Sequence, residues 1–74
     1  MTLKNFYQTQ RWVKLRNAFM KEKAYLCEDC YKKGILNRAE EVHHIIPLND
    51  SNVNDSEISL NKNNLVCLCR LCHR

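Results

Sequence analysis

The sequence predicts an α+β fold: a small zinc-stapled domain in which a ββα unit follows an N-terminal helix. Three observations carry this expectation. The 74 residues leave room for one domain, residues 1–74, with a modest core. Two Cys-x-x-Cys pairs, Cys27/Cys30 and Cys69/Cys72, offer a metal staple. The apolar pattern also changes along the chain, reading helix, knuckle, strand, loop, helix.

Thr9 is a helix cap, and the helix is expected over about residues 10–24. Trp12, Leu15 and Phe19 fall at i, i+3 and i+7, one apolar stripe for the core. Lys14 and Lys21 share another face. A knuckle at 27–30 runs into a turn at Lys33-Gly34. Residues 38–48 read as a strand, rich in β-formers (Val42, Ile45, Ile46) and closed by Pro47. Residues 49–64, dense in Asn, Asp and Ser, read as a loop with a short strand around 58–60. Asn61 to Asn64 then supply caps for a last helix over about 65–74. The ββα core thus spans about residues 38–74.

The cysteines favour a metal over disulfides. The N-terminal stretch has no unbroken apolar run, so no signal peptide is visible, and no segment approaches a membrane span. The chain reads as cytoplasmic, where thiols stay reduced. Five cysteines suit four ligands plus one spare, Cys67, which reads as a buried apolar residue. A two-residue gap lets one turn of backbone present both sulfurs to one ion, and four thiolates close a structural zinc site. A disulfide framework would call for secretion. A redox pair would call for a thioredoxin-like βαβ context, which is absent.

The formal net charge is +4, and its distribution is uneven. Six basic residues (Lys4, Arg11, Lys14, Arg16, Lys21, Lys23) precede position 24 against one acid, Glu22. Lys62, Arg70 and Arg74 close the chain. Basic ends around a more acidic centre fit a phosphate-binding rim or, more simply, solvated helix faces.

The histidines carry the chemical signal. His43 and His44 are adjacent on the expected strand, so their side chains face opposite sides and suit different roles. His73 follows Cys72, turned about 100° from that ligand if the segment is helical. Alone, each could be a structural histidine or a reserve zinc ligand. With four cysteines completing the zinc, all three are left without a structural task.

The run Glu41-Val42-His43-His44-Ile45-Ile46-Pro47, with Asn63-Asn64-Leu65-Val66-Cys67-Leu68-Cys69-Arg70-Leu71-Cys72-His73, closely resembles the HNH endonuclease motif. Phe6-Tyr7, Trp12, Leu15-Arg16, Cys27, Cys30 and Gly34 resemble the leader of small phage-type members, so the likeness covers nearly the whole chain. It implies a ββα-metal (His-Me finger) core and metal-dependent hydrolysis of DNA phosphodiesters. His44 would be the general base, and His43 and His73 the ligands of one catalytic divalent ion, Mg²⁺, Mn²⁺, Ni²⁺ or Zn²⁺. Asn64, the motif's middle residue, would fix the loop and orient His44, with Asn63 in its place if the register slips. The position of His43 is often Asp in the family, and imidazole favours softer ions. Lys14, Lys21, Arg70 and Arg74 would contact DNA phosphates. Membrane partners are not expected; a phage terminase or other packaging protein is a candidate companion. The competing reading is a non-catalytic zinc module for nucleic acid or protein, which would have no use for three histidines.

Overall fold

The computed structural model describes residues 1–72. His73 and Arg74, expected as a catalytic metal ligand and a phosphate contact, lie outside the described residues. Four short helices, α1 (Leu3–Phe6), α2 (Gln10–Glu22), α3 (Glu28–Lys32) and α4 (Ser56–Ser59), accompany two strands, β1 (Glu41–His44) and β2 (Leu65–Leu68). The α+β class is as expected.

Helix α2 begins where the sequence places it. The Thr9 hydroxyl accepts the Trp12 N–H at 3.3 Å. It ends two residues sooner than expected. Lys23 closes it, the Ala24 N–H bonds to the Lys21 carbonyl, and the Tyr25 N–H to that of Met20. This is a Schellman stop, a motif usually marked by glycine. Here Ala24 (φ 56°) and Tyr25 (φ 60°) enter the left-handed region instead. That conformation costs a non-glycine residue roughly 1–2 kcal/mol, so surrounding contacts must hold it. The same stop recurs after α3 with the expected residue: Gly34 (φ 78°) donates to Tyr31 and Ile35 donates to Cys30.

The expected strand over 38–48 is shorter than its apolar run. β1 keeps only Glu41–His44, while Ile45 and Ile46 bend away and stay exposed. The short strand expected around 58–60 is instead helix α4, capped by Asp55, whose carboxylate accepts the Glu57 N–H at 3.1 Å. The last helix, expected from residue 65, is also corrected. A single 3₁₀ turn (Lys62–Asn64) leads into β2, which pairs antiparallel with β1 in the register Val42↔Cys67 and His44↔Leu65. Alternating burial explains the switch: Leu65 and Cys67 point into the core at 4% and 0% exposure, while Val66 and Leu68 are half-buried. That two-residue period is a strand's, and the run of apolar residues from Leu65 hid it. The outer edge of β2 is protected too, since the Cys67 N–H is taken by a Glu28 carboxylate oxygen at 2.7 Å.

The core gathers Phe6, Trp12, Phe19, Ala39, Val53, Leu65 and Cys67. The buried thiol of Cys67 is the apolar filler expected of it; burial, helped by the nearby Glu28 carboxylate, pushes its pKa up to about 11. A second cluster holds Cys27, Cys30 and Cys69, so the cysteines form a separate pole of the fold. No helix among the described residues is long and apolar enough to cross a membrane.

Candidate active site and metal centres

Two knuckles converge at the cysteine pole. Cys27 caps α3, its sulfur facing the Cys30 N–H at 3.5 Å, and Cys69 and Cys72 arrive just after β2. The four sulfurs lie within 4.8 Å of one another, and all five cysteines are free of disulfides. Cys30 sits 3.8 Å from both Cys69 and Cys72. A tetrahedral ion with bonds of about 2.3 Å sets its sulfurs about 3.8 Å apart, so the donor set and its spacing fit a four-thiolate metal site. Burial opposes ionisation of Cys27, but the backbone N–H groups of Cys30 and Cys69 and the neighbouring thiols outweigh it and bring its pKa down to about 6. A thiolate is therefore already favoured where a cation would bind.

His44 stands at the end of β1, beside the core aromatics. Its ring stacks on Trp12 at 4.8 Å between centroids and 29° between planes. Phe6 and Tyr7 approach its edges at 6.1 and 6.2 Å. Its Nε2 lies 2.9 Å from the Ser59 carbonyl oxygen. A carbonyl can only accept, so Nε2 carries the proton and Nδ1 of the neutral ring keeps its lone pair. Burial lowers the His44 pKa; the Ser59 carbonyl opposes this, and the charge of His43 adds to it. The ring is thus held neutral, with one nitrogen anchored.

His43 faces the opposite side of β1 from His44, as a strand requires. Its Nε2 lies 3.6 Å from a Glu41 carboxylate oxygen, two residues back on the same face. An imidazole and a carboxylate this close can share a divalent cation.

Asn64 is buried at 7% exposure and grips two segments at once. Its Oδ1 accepts the Ile46 N–H at 2.7 Å, and its Nδ2 donates to the Ile58 carbonyl at 2.8 Å. One segment leaves His44 and the other carries Ser59. Asn64 therefore does not hydrogen-bond the His44 ring; it fixes the backbones that hold it. The cap role falls to Asn61, which accepts the Asn63 N–H at 2.9 Å. Asn63 itself is exposed. Replacing Asn64 with alanine would strand a buried N–H and a carbonyl, each worth about 1–3 kcal/mol. The expected result is a loss of about 2–4 kcal/mol in urea unfolding, and an unchanged midpoint would contradict this account.

The basic residues divide. At about 100° per residue, Lys14 and Lys21 lie about 200° and 180° around α2 from Trp12, on the side away from His44. Arg70 is exposed and ion-paired with Glu40 at 3.4 Å. The structure gathers none of these three at the histidines. The sequence reading missed Ser59, whose contribution is a backbone carbonyl with no sequence signal. It also missed Glu41 and Glu28. The first was legible in principle, lying two residues before a candidate ligand on an expected strand.

Comparisons with known proteins agree with this geometry. The sequence model described as HNH endonuclease matches residues 27–74. A probable HNH endonuclease of Lactococcus phage SK1 is 32% identical over 68 residues, covering 92% of this chain and 70% of that protein. The crystal structure of the HNH endonuclease of the deep-sea thermophilic bacteriophage GVE2, with manganese ion, superposes with a TM-score of 0.81 at 34% identity. That match covers 95% of this chain and 72% of the other.

Proposed function

Because the chain belongs to the HNH endonuclease family, we propose that it is a metal-dependent DNA endonuclease in which His44 is the general base. The single observation that carries this reading is the anchored His44 ring, with Nε2 donating to Ser59, which leaves Nδ1 as the lone-pair nitrogen of the neutral ring. Hydrolysis of a phosphodiester needs a base that takes a proton from water near neutral pH. A neutral imidazole does this, and its lowered pKa keeps it neutral there. Nδ1 accepts the proton of the attacking water while Trp12 and Ser59 hold the ring in place. Asn64 is a positioning residue that acts through the Ile46 and Ile58 backbones.

His43, with His73, would hold the catalytic divalent ion, and Glu41 stands next to that position. Once bound, such an ion supplies positive charge for the phosphate and the departing oxygen. Manganese in the phage GVE2 structure supports Mn²⁺ among the expected ions, beside Mg²⁺, Ni²⁺ and Zn²⁺. The thiolate spacing supports zinc at Cys27, Cys30, Cys69 and Cys72 as the structural ion. One domain over residues 1–74 would carry both sites. DNA is the substrate proposed. The phage relatives make a packaging protein such as terminase a reasonable companion, and the cytoplasm of an infected cell the reasonable setting.

The test is cleavage of supercoiled plasmid with Mg²⁺, Mn²⁺ or Ni²⁺, and without any of them. The expected result is nicked or linear product only when a divalent ion is added. Cutting that persists without added ion and in excess chelator would overturn the metal-dependent mechanism. A folded, zinc-loaded protein that binds DNA but gives no cleavage with any of these ions would favour the binding-module reading.

A further inference from the structure

We propose that the groove between α2 and residues 38–42 binds an unpaired DNA segment beside the scissile phosphate, with Arg16 and Arg38 on its phosphates and Tyr7 and Tyr25 against its bases. This inference rests on the nuclease reading and deepens it. It gives the substrate a preferred form, duplex DNA with a single-stranded flank, and assigns contacts to residues outside the HNH motif.

The groove encloses about 730 Å³ and is walled by Arg16, Met20 and Trp12 on α2 and by Arg38 on the opposite bank. Two of its lining residues, Trp12 and Tyr7, pack against the candidate base. Trp12 stacks on His44 at 4.8 Å, and Tyr7 meets the His44 ring edge at 6.2 Å. Arg16 lies only about 40° around α2 from Trp12, on the side that Lys14 and Lys21 avoid.

Charge and ring chemistry agree on the ligand. Among the described residues, neither Arg16 nor Arg38 has a carboxylate within ion-pair distance. The acids on the same bank have other neighbours: Glu40 pairs with Arg70 at 3.4 Å, and a Glu41 carboxylate oxygen lies 3.6 Å from His43 Nε2. Two guanidinium groups in one groove, neither in contact with a carboxylate, have N–H donors to offer a phosphodiester backbone, although Glu40 and Glu41 line the same groove. Tyr7 and Tyr25 line the same groove at 43% and 47% exposure. Exposed rings beside cations form a stacking platform for unpaired bases, whereas bases inside a duplex keep their faces covered.

Tyr25 is also set in place deliberately. It occupies the left-handed region at φ 60°, directly after Ala24 at φ 56°. Its carbonyl accepts the Ala39 N–H at 2.8 Å, joining the two banks of the groove. A strained backbone held by a cross-groove bond fixes where the tyrosine enters the groove.

The experiment measures binding, so cleavage does not confuse it. In a His44→Ala background, fluorescence anisotropy would follow labelled DNA as plain duplex, single strand, and duplex with a single-stranded overhang, over a range of salt. The overhang substrate should bind at least fivefold more tightly than the duplex. Arg16→Ala and Arg38→Ala should each weaken it about fivefold or more and lower the salt slope by about 1. Tyr25→Ala should remove the preference for the overhang and leave duplex affinity unchanged. Lys14→Ala and Lys21→Ala should bind like the parent. Arg16 sits exposed on α2, so its variant keeps the test valid if Arg38→Ala fails to fold. Equal affinity for duplex and overhang, or arginine variants with parental affinity and slope, would overturn the proposal. If the unmodified protein still cuts plasmid in that case, the nuclease reading stands and only the groove assignment falls. If it neither binds nor cuts DNA, both fall.

Discussion

With the zinc proposed for the four thiolates in place, replacing Cys69 with serine is expected to unfold the protein, and stripping the ion with a strong chelator should do the same to the unmodified chain. The four sulfurs tie the start of α3 to the end of β2 at a pole separate from the main core. A structural zinc of this type contributes roughly 10–16 kcal/mol of apparent binding energy at pH 7. Domains as a rule are stable by only about 5–15 kcal/mol, so losing the ion exceeds what a core this small can supply, and serine at position 69 leaves only three thiolates to hold it. The effect should reach the histidines. Leu68 precedes Cys69 directly, and β2 holds β1 in register through Leu65 opposite His44. Circular dichroism and metal analysis check this: one zinc per chain before chelation, loss of helical signal after it, and recovery when zinc returns. Cys67→Ser is the control, because that thiol lies in the other cluster and should leave the zinc count at one. A Cys69→Ser protein that melts like the parent would show that the tetrad is not the staple.

The legible parts of this protein are those where local chemistry decides. Thr9 as cap, the Trp12–Phe19 stripe, the Gly34 turn and the two knuckles each announce themselves within a few residues, and each is where the sequence puts it. Three features were hidden for identifiable reasons. The end of α2 uses Ala24 where the Schellman stop usually has glycine, so propensity carried the helix too far. β2 lies in a run whose apolar residues satisfy both a helical and a β period, and only pairing with β1 decides between them. Helix α4 is four residues long and survives through its Asp55 cap and the burial of Ser59, both tertiary effects. The histidine site shows the same division. His43, His44 and Asn64 could be named from spacing and motif. That Ser59 anchors the ring, and that Asn64 works through two backbones, depends on chain crossings that no local pattern encodes.

His44→Ala should lower the cleavage rate about 10²–10⁴-fold while DNA binding changes little, which is the range for losing a positioned general base. Lost activity alone would not prove the role, because His44 also packs on Trp12 and satisfies the Ser59 carbonyl. Truncation leaves a gap in the aromatic cluster, and some loss of stability is expected with it. Two further measurements separate chemistry from structure. Added imidazole should restore part of the rate in His44→Ala, because it can enter the space left by the ring and accept the proton of water. It should do nothing for His44→Gln, which fills that space without a base. A structural role predicts the reverse ranking, with the glutamine variant active and no rescue of alanine. The geometry favours the base: a residue kept only for packing would not need one nitrogen tied to Ser59 and the other left with a free lone pair.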